Sequence, residues 1–369
     1  MVTGMTSIVD FGRAGASFIV VLGVLVFVHE LGHYLAARWQ GVHVEAFSIG
    51  FGPSIASWRD RLGTVWKLSI LPLGGYVKLH GQERPQDVAP EVRATWQEGR
   101  TFHSKSVGSR AIIVAAGPVA NFVLSIVLFC GLFLFIGQPT GVAPVFSEVK
   151  AEGPAAKAGL KAGDRVVSID GVAVPSFKAM AEIIAASPDK TVSMTIVRDG
   201  QQEVVPVQVG VKEADGKRTG ELQVGGTVEY SKLGPVAAVE AGVKQTWDVS
   251  IATVEGLGGI LNGSKSKDEL SGPLGIARLS GQVALLGFAS LVSFIAVLSV
   301  NLGLVNLFPI PVLDGGHLMF YLAEALRGGR PLPQRIQEYG FRTGFALLAM
   351  LFLFATWNDI SHWVRSLLG

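Results

Sequence analysis

Three residues in the stretch VLVFVHELGHYLAARW (Val24–Trp39) have the types and spacing for metal-assisted hydrolysis: His29, Glu30 and His33. On a helix, residues four apart share one face. The two imidazoles can therefore converge on one metal ion, and the glutamate beside them can reach a water bound there. Zinc in such a site lowers the pKa of that water to about 7 and polarises a carbonyl, while the carboxylate takes the proton. The competing reading is interfacial, because Arg38 and Trp39 follow closely and polar side chains near the end of a span snorkel towards headgroups. Against it stands the apolar setting, where an ionisable group at bilayer depth costs about 2.5–3.5 kcal/mol.

A catalytic zinc takes a third protein ligand and keeps one position open. Near the far end of the chain, NLFPIPVLDGGH (Asn306–His317) supplies Asp314 as the best candidate, with His317 as a rival. An Asp-Gly-Gly after prolines is also a common turn or helix start. Asn306, Pro309 and Pro311 form a candidate substrate-binding set. The carboxamide of Asn306 can donate to and accept from a peptide backbone; it can equally serve an inter-helix hydrogen bond. The prolines break or kink a helix and free backbone groups, or simply end it.

These motifs need elements to position them. Of 369 residues, 49% are hydrophobic and 16% charged, with long neutral runs on either side of a charged central block. That distribution points to an integral membrane protein with one soluble domain between its spans. The net charge of +2 demands no nucleic-acid partner, and a single cysteine, Cys130, permits no internal disulfide. The N-terminal segment reads as a retained helix, without a convincing cleavage site before His29.

Four transmembrane helices are expected, at 14–37, 110–137, 285–320 and 341–364, with Trp357 and Trp363 as interfacial anchors of the last. The purely apolar part of the first, Ala14–Val28, rises only about 22 Å against a bilayer core of about 30 Å. The helix must continue through His29–His33 to finish crossing. The first connecting loop carries Arg59, Arg61, Lys67, Lys78, Arg84, Arg93, Arg100, Lys105 and Arg110; the last carries Arg327, Arg330, Arg335 and Arg342. The excess of positive charge assigns both loops to the cytoplasm. Both termini and the central block then face outward. His29, His33 and Asp314 approach the same depth, near the cytoplasmic face.

With both motifs placed, the chain resembles the site-2 protease family of zinc intramembrane metalloproteases, and in particular its bacterial, sigma-E-regulating branch. The resemblance rests on HELGH, on the complete pattern N-x-x-P-x-P-x-L-D-G, and on SIGFGP, LPLGGYVKLHG, KSVGSRAIIVAAGPVANF, LSGPLGIA and SVNLGLVNLFP. It implies one catalytic zinc ion held by His29, His33 and Asp314, with Glu30 as the catalytic glutamate and Asn306 engaging the substrate backbone. Asn121, in GPVAN, matches a further family position; beside the small Gly117 and Ala120 it reads as helix packing.

The resemblance also implies a membrane-reentrant β loop within 39–107, where Thr64–Leu79 reads as a hairpin turning at Pro72 and Gly74–Gly75. Its edge could hold a substrate extended by strand addition. The block 141–229 reads strand, helix at Ala155–Ala158, strand at Arg165–Ile169, helix at Ser176–Ala186, then two strands joined by Asp199–Gly200. That order and AGLKAGDRVVSIDG resemble a bacterial PDZ domain, which takes a peptide or carboxyl terminus at a sheet edge. Residues 230–281 read as an amphipathic linker on the membrane surface or, equally, as an ordinary connecting helix.

The expected fold class is thus a polytopic α-helical membrane protein of four transmembrane helices, with a membrane-associated β-hairpin loop and one α+β PDZ domain between helices 2 and 3. The family implies a multi-pass protein of the bacterial cytoplasmic (inner) membrane. Its partners would be the lipid bilayer and a transmembrane substrate, such as a pre-trimmed anti-sigma factor or a remnant signal peptide.

Overall fold

The computed structural model describes residues 8–83, 88–97, 99–214, 217–265 and 272–368. Arg84, the side chain of Trp363, and Leu270–Ser271 of the LSGPLGIA match lie outside the described residues, as do the extreme termini. The chain forms two compact units: Met1–Leu132 with Pro235–Gly369, and Phe133–Gly234.

The first unit opens with α1 (Ile8–Trp39), which has no charge between Arg13 and His29. It stops at a glycine: Gly41 takes φ 72°, and the Val42 N–H donates back to the Ala37 carbonyl at 2.8 Å. This left-handed cap suits a residue without a Cβ. Two long strands follow, β1 (Val44–Arg59) and β2 (Val65–Leu79), then the short α2 (Pro90–Arg93) and α3 (Val107–Phe135).

The hairpin differs from its expected form. β1 and β2 pair antiparallel from Val44↔Leu79 to Ile49↔Gly75 and from Phe51↔Leu71 to Arg59↔Val65, so the turn lies at residues 60–64. Asp60 closes that turn by accepting the N–H groups of Leu62 and Thr64, each at 2.9 Å. Pro72 and Gly74–Gly75 fall inside β2, where the register shifts and the strand bends. Phe47, Leu79, Tyr34, Phe102 and Ile113 pack one apolar core between α1, the hairpin and α3.

The chain then builds the second unit: β3 (Gln138–Val149), α4 (Pro154–Lys157), β4 (Arg165–Ile169), β5 (Val172–Ala173), α5 (Phe177–Ala185), β6 (Thr191–Arg198), β7 (Gln201–Gln208), β8 (Gly210–Ala214), β9 (Lys217–Glu221) and β10 (Val224–Ser231). The main sheet has the order β10-β3-β4-β6-β7, with β5 on β4; β8 and β9 form a separate hairpin. Asp199 and Gly200 both take positive φ, as a two-residue turn matching strand twist requires. Ser176 caps α5, its hydroxyl accepting the Ala179 N–H at 3.2 Å. Alternate residues of β6, Val192, Met194 and Ile196, enter a core shared with Phe146, Ile169 and Val207.

The first unit resumes with α6 (Pro235–Leu261), α7 (Pro273–Leu285), α8 (Phe288–Leu307), α9 (Asp314–Leu326) and α10 (Gln334–Leu368). The linker expected over 230–281 is thus two docked helices. On α6, Thr246 meets Ser125 of α3 at 3.2 Å, and Thr253 donates to Asn301 of α8 at 2.8 Å. At α7, Gly281 lies against Ala14 of α1, and Asp359 of α10 accepts the N–H groups of Gly272 and Gly275. The span expected at 285–320 is divided. α8 ends at Leu307, because Pro309 has no N–H to donate and the preceding Phe308 is extended (φ −63°, ψ 144°).

Among the described residues, four helices are long and apolar enough to cross a membrane: Gly12–Trp39, Val107–Phe135, Phe288–Leu307 and Gln334–Ser361.

Candidate metal centre

α1 carries His29 and His33 one turn apart, and the first residue of α9 carries Asp314. The Nε2 atoms of the two histidines are 3.2 Å from each other. Asp314 Oδ2 lies 3.1 Å from His29 Nε2 and 3.4 Å from His33 Nε2. Among the described residues this is the one set of three or more such side chains whose ligand atoms all fall within 4.8 Å. His317 lines the same cavity but sits beside the Phe341 ring, 5.4 Å between centroids, and is outside the trio.

Whether zinc fits is decided by the hydrogen bonds around these atoms. His33 Nδ1 lies 2.9 Å from the Ile113 carbonyl of α3, which can only accept. The proton of a neutral His33 is thereby placed on Nδ1, and the Nε2 lone pair faces the cluster. Asp314 Oδ2 is buried and receives no hydrogen bond of acceptable geometry. A buried carboxylate oxygen left facing two imidazole nitrogens is costly without a cation. Two imidazoles and one carboxylate are a zinc donor set, and the cluster opens on a cavity that leaves a fourth position free. The residues present fit the ion.

The local sequence explains how Asp314 reaches this point. Gly315 and Gly316 pass under the end of α8 so closely that a Cβ on either would overlap the backbone of residues 307–311. Val312 is held at φ 108°, which is strained for a β-branched residue. The DGG triplet is thus a close-packed seat for the carboxylate, more than a turn.

A cavity of about 650 Å³ adjoins the trio and is also lined by Glu30, Gly75–Val77 of β2, Asn306, Val312, Phe320 and Tyr321. A Cβ on Gly75 would crowd Glu30, so the hairpin passes directly beside the glutamate. Arg110 and Glu324 also line the cavity, paired at 2.7 Å. Pro309 and Pro311 are not among its lining residues. Pro311 instead abuts Gly340 and Gly344 of α10.

Sequence reasoning missed the support that α3 gives the histidines. Ile113, Gly117 and Asn121 are spaced by four, one helix face. The Ile113 carbonyl meets His33, and a Cβ on Gly117 would overlap both imidazoles. Asn121, completely buried, meets His29 Nδ1 at 3.1 Å. The signal was present, since His29 and His33 carry the same spacing of four.

Residues 17–351 match Peptidase family M50, and the chain belongs to that family. A Rhizobium meliloti protein that bears the name of a zinc metalloprotease is 43% identical over 364 residues, covering 94% of this chain and 96% of the relative. The regulator of sigma-E protease RseP of Salmonella typhimurium is 33% identical over 448 residues, covering 94% of this chain and 98% of the relative. The chain is accordingly a zinc metalloprotease of the site-2 protease type. Among solved structures, the PDZ domain of an SdrC-like protein from Listeria monocytogenes matches with a TM-score of 0.21 and 24% identity, covering 24% of this chain and 90% of that one.

Proposed function

We propose that the protein is an intramembrane endopeptidase that cuts single-pass transmembrane proteins within or near the bilayer. His29, His33 and Asp314 would hold one zinc ion. The observation that carries this reading is the convergence of their ligand atoms within 4.8 Å, from α1 and α9, inside an otherwise apolar helical unit. When bound, zinc supplies Lewis acidity towards water and the scissile carbonyl.

The other roles fall to the chain itself. Glu30 takes the proton of the attacking water and returns it to the leaving amine. Asn306, on the cavity wall, hydrogen-bonds the substrate backbone. Pro309 and Pro311 shape that wall indirectly, by ending α8 and seating α10. The bend of β2 beside Glu30 offers a strand edge on which an unwound substrate segment can lie extended, exposing a peptide bond that a helix would hide.

In this reading α1, α3, α8 and α10 span the bacterial inner membrane and the active site lies near the cytoplasmic face. The sheet unit is a periplasmic PDZ domain that admits trimmed substrates or senses new carboxyl ends. An anti-sigma factor already cut outside the membrane, or a remnant signal peptide, is the proposed substrate, supported by the name of the Salmonella relative.

The test compares wild type with Glu30→Gln on a single-pass substrate. The variant should retain zinc and lose about 10²–10⁴-fold in cleavage rate. Equal cleavage by the two would overturn the mechanism.

A further inference from the structure

We infer that Asn121 is a positioning residue that holds His29 in the metal-binding tautomer through a hydrogen bond to Nδ1. The inference rests on the proposed metal site and adds the support that one of its ligands requires.

Asn121 lies on α3 and is completely buried. Its backbone carbonyl accepts the Ser299 hydroxyl of α8 at 2.8 Å, so a second helix fixes it. Its carboxamide points at α1, with Nδ2 3.1 Å from His29 Nδ1, while Oδ1 is buried without a partner. A half-turn of the carboxamide exchanges the two atoms in place. Oδ1 then accepts Nδ1–H.

That choice decides what His29 presents to the cluster. A neutral imidazole has one N–H and one lone pair. With Nδ2 donating to Nδ1, the proton must sit on Nε2 and point at His33 Nε2 and Asp314 Oδ2, 3.2 and 3.1 Å away. With Oδ1 accepting from Nδ1–H, the Nε2 lone pair faces the same atoms, as a ligand must. His33 is already held this way by the Ile113 carbonyl. The two histidines are thus supported from one face of α3 at positions eight apart, one by backbone and one by a side chain. Only the second support can be removed by substitution.

The test measures zinc affinity of the full-length protein in detergent, by competition with a chromophoric chelator. Wild type is compared with Asn121→Leu, Asn121→Ala and Asn121→Asp, and the unfolding temperature of each metal-free protein is recorded alongside. Leu and Ala cannot accept Nδ1–H and should weaken zinc by about 10–100-fold. The carboxylate of Asp accepts it and should retain wild-type affinity. A residue that only packs predicts the opposite order, because Leu suits an apolar helix interface and a buried carboxylate does not.

Affinity of the Leu variant within about threefold of wild type, against the expected loss, would overturn the inference. So would an Asp variant that is folded but binds more weakly than Leu. If Asp fails to fold, the Leu and Ala values decide. If wild type itself binds no zinc, the metal site is wrong; if it binds and Leu matches it, only the role of Asn121 is wrong.

Discussion

Each unit of the molecule contains an aspartate with a buried carboxylate oxygen, and the two are treated oppositely. In the sheet unit the side chain of Asp164 is 1% exposed and fully satisfied. It accepts the Lys161 N–H at 2.8 Å, Arg198 Nε at 2.8 Å and Arg198 Nη2 at 2.6 Å. In the helical unit Asp314 has one oxygen with no hydrogen bond, aimed at two imidazoles. The first arrangement holds a fold together; the second is the donor set of a cation site. Asp164 is the more deeply buried of the two, and the count of donors separates them further.

The backbone before each residue differs in the same sense. Gly163 takes φ 94°, where a glycine meets no Cβ penalty, whereas Val312 takes φ 108° with a branched side chain. The apolar surfaces are inverted too. Phe146, Met194 and Ile196 of the sheet unit are fully buried, while Phe345, Met350 and Leu353 on α10 are exposed.

The largest effect that can break this comparison is at Asp314. Asp314→Ala should reduce zinc from one ion per chain to almost none, with cleavage lost, while the metal-free protein unfolds at an unchanged or higher temperature. The substitution removes a carboxylate whose buried Oδ2 accepts no hydrogen bond, so the apo fold loses little with it. Metal analysis with thermal unfolding checks this; full zinc retention would move the third ligand to His317.

Asp164→Ala should do the reverse. Zinc content stays, and the sheet unit loses about 2–3 kcal/mol, the low side for a broken buried pair because Arg198 still reaches solvent. The pH dependence follows. Burial alone pushes the Asp164 carboxyl up, but hydrogen bonds from Arg198 and the Lys161 N–H outweigh it and hold it below its ordinary value. A depressed carboxyl contributes its full stability above the unfolded pKa of about 3.9. That contribution is lost as pH falls through the lower, folded value. Asp164→Asn should therefore flatten the acid limb of sheet-unit unfolding. An acid limb identical to wild type would contradict the ion pair.

The smallest effect is at Val312. Val312→Gly relieves strain of about 1–3 kcal/mol and returns about 0.5–1 kcal/mol as unfolded-chain entropy. A modest gain in metal-free stability, with faster zinc release from a loosened Asp314, is the expected pair of results. Lower stability would mean that the valine conformation is not strained.

Much of the sheet unit was legible from sequence because its determinants are local. Alternation marks β6, Asp199–Gly200 marks the turn and Ser176 marks the start of α5. The hairpin was read less well. Pro72 and Gly74–Gly75 look like a turn, but the register is set by Val44–Ile49, an upstream partner that no window around Thr64–Leu79 contains. Asn121 was read as packing because its small neighbours Gly117 and Ala120 suit helix contact. They do serve contact, but what Gly117 accommodates is the pair of imidazoles.

By itself the sequence determined the chemistry. The spacing of four in HELGH puts two imidazoles on one face. The length of apolar chain and the loop charges led to the expectation that His29, His33 and Asp314 share one level. Only the tertiary structure decided which groups meet. It set Asp314 rather than His317 against the histidines, the Ile113 carbonyl and Asn121 behind them, and β2 beside Glu30. The physical reason is that helix periodicity and hydropathy act along one segment. Contacts across 80 to 285 residues of chain depend on how closely glycines let the helices approach, and on which nitrogen of an imidazole finds its acceptor.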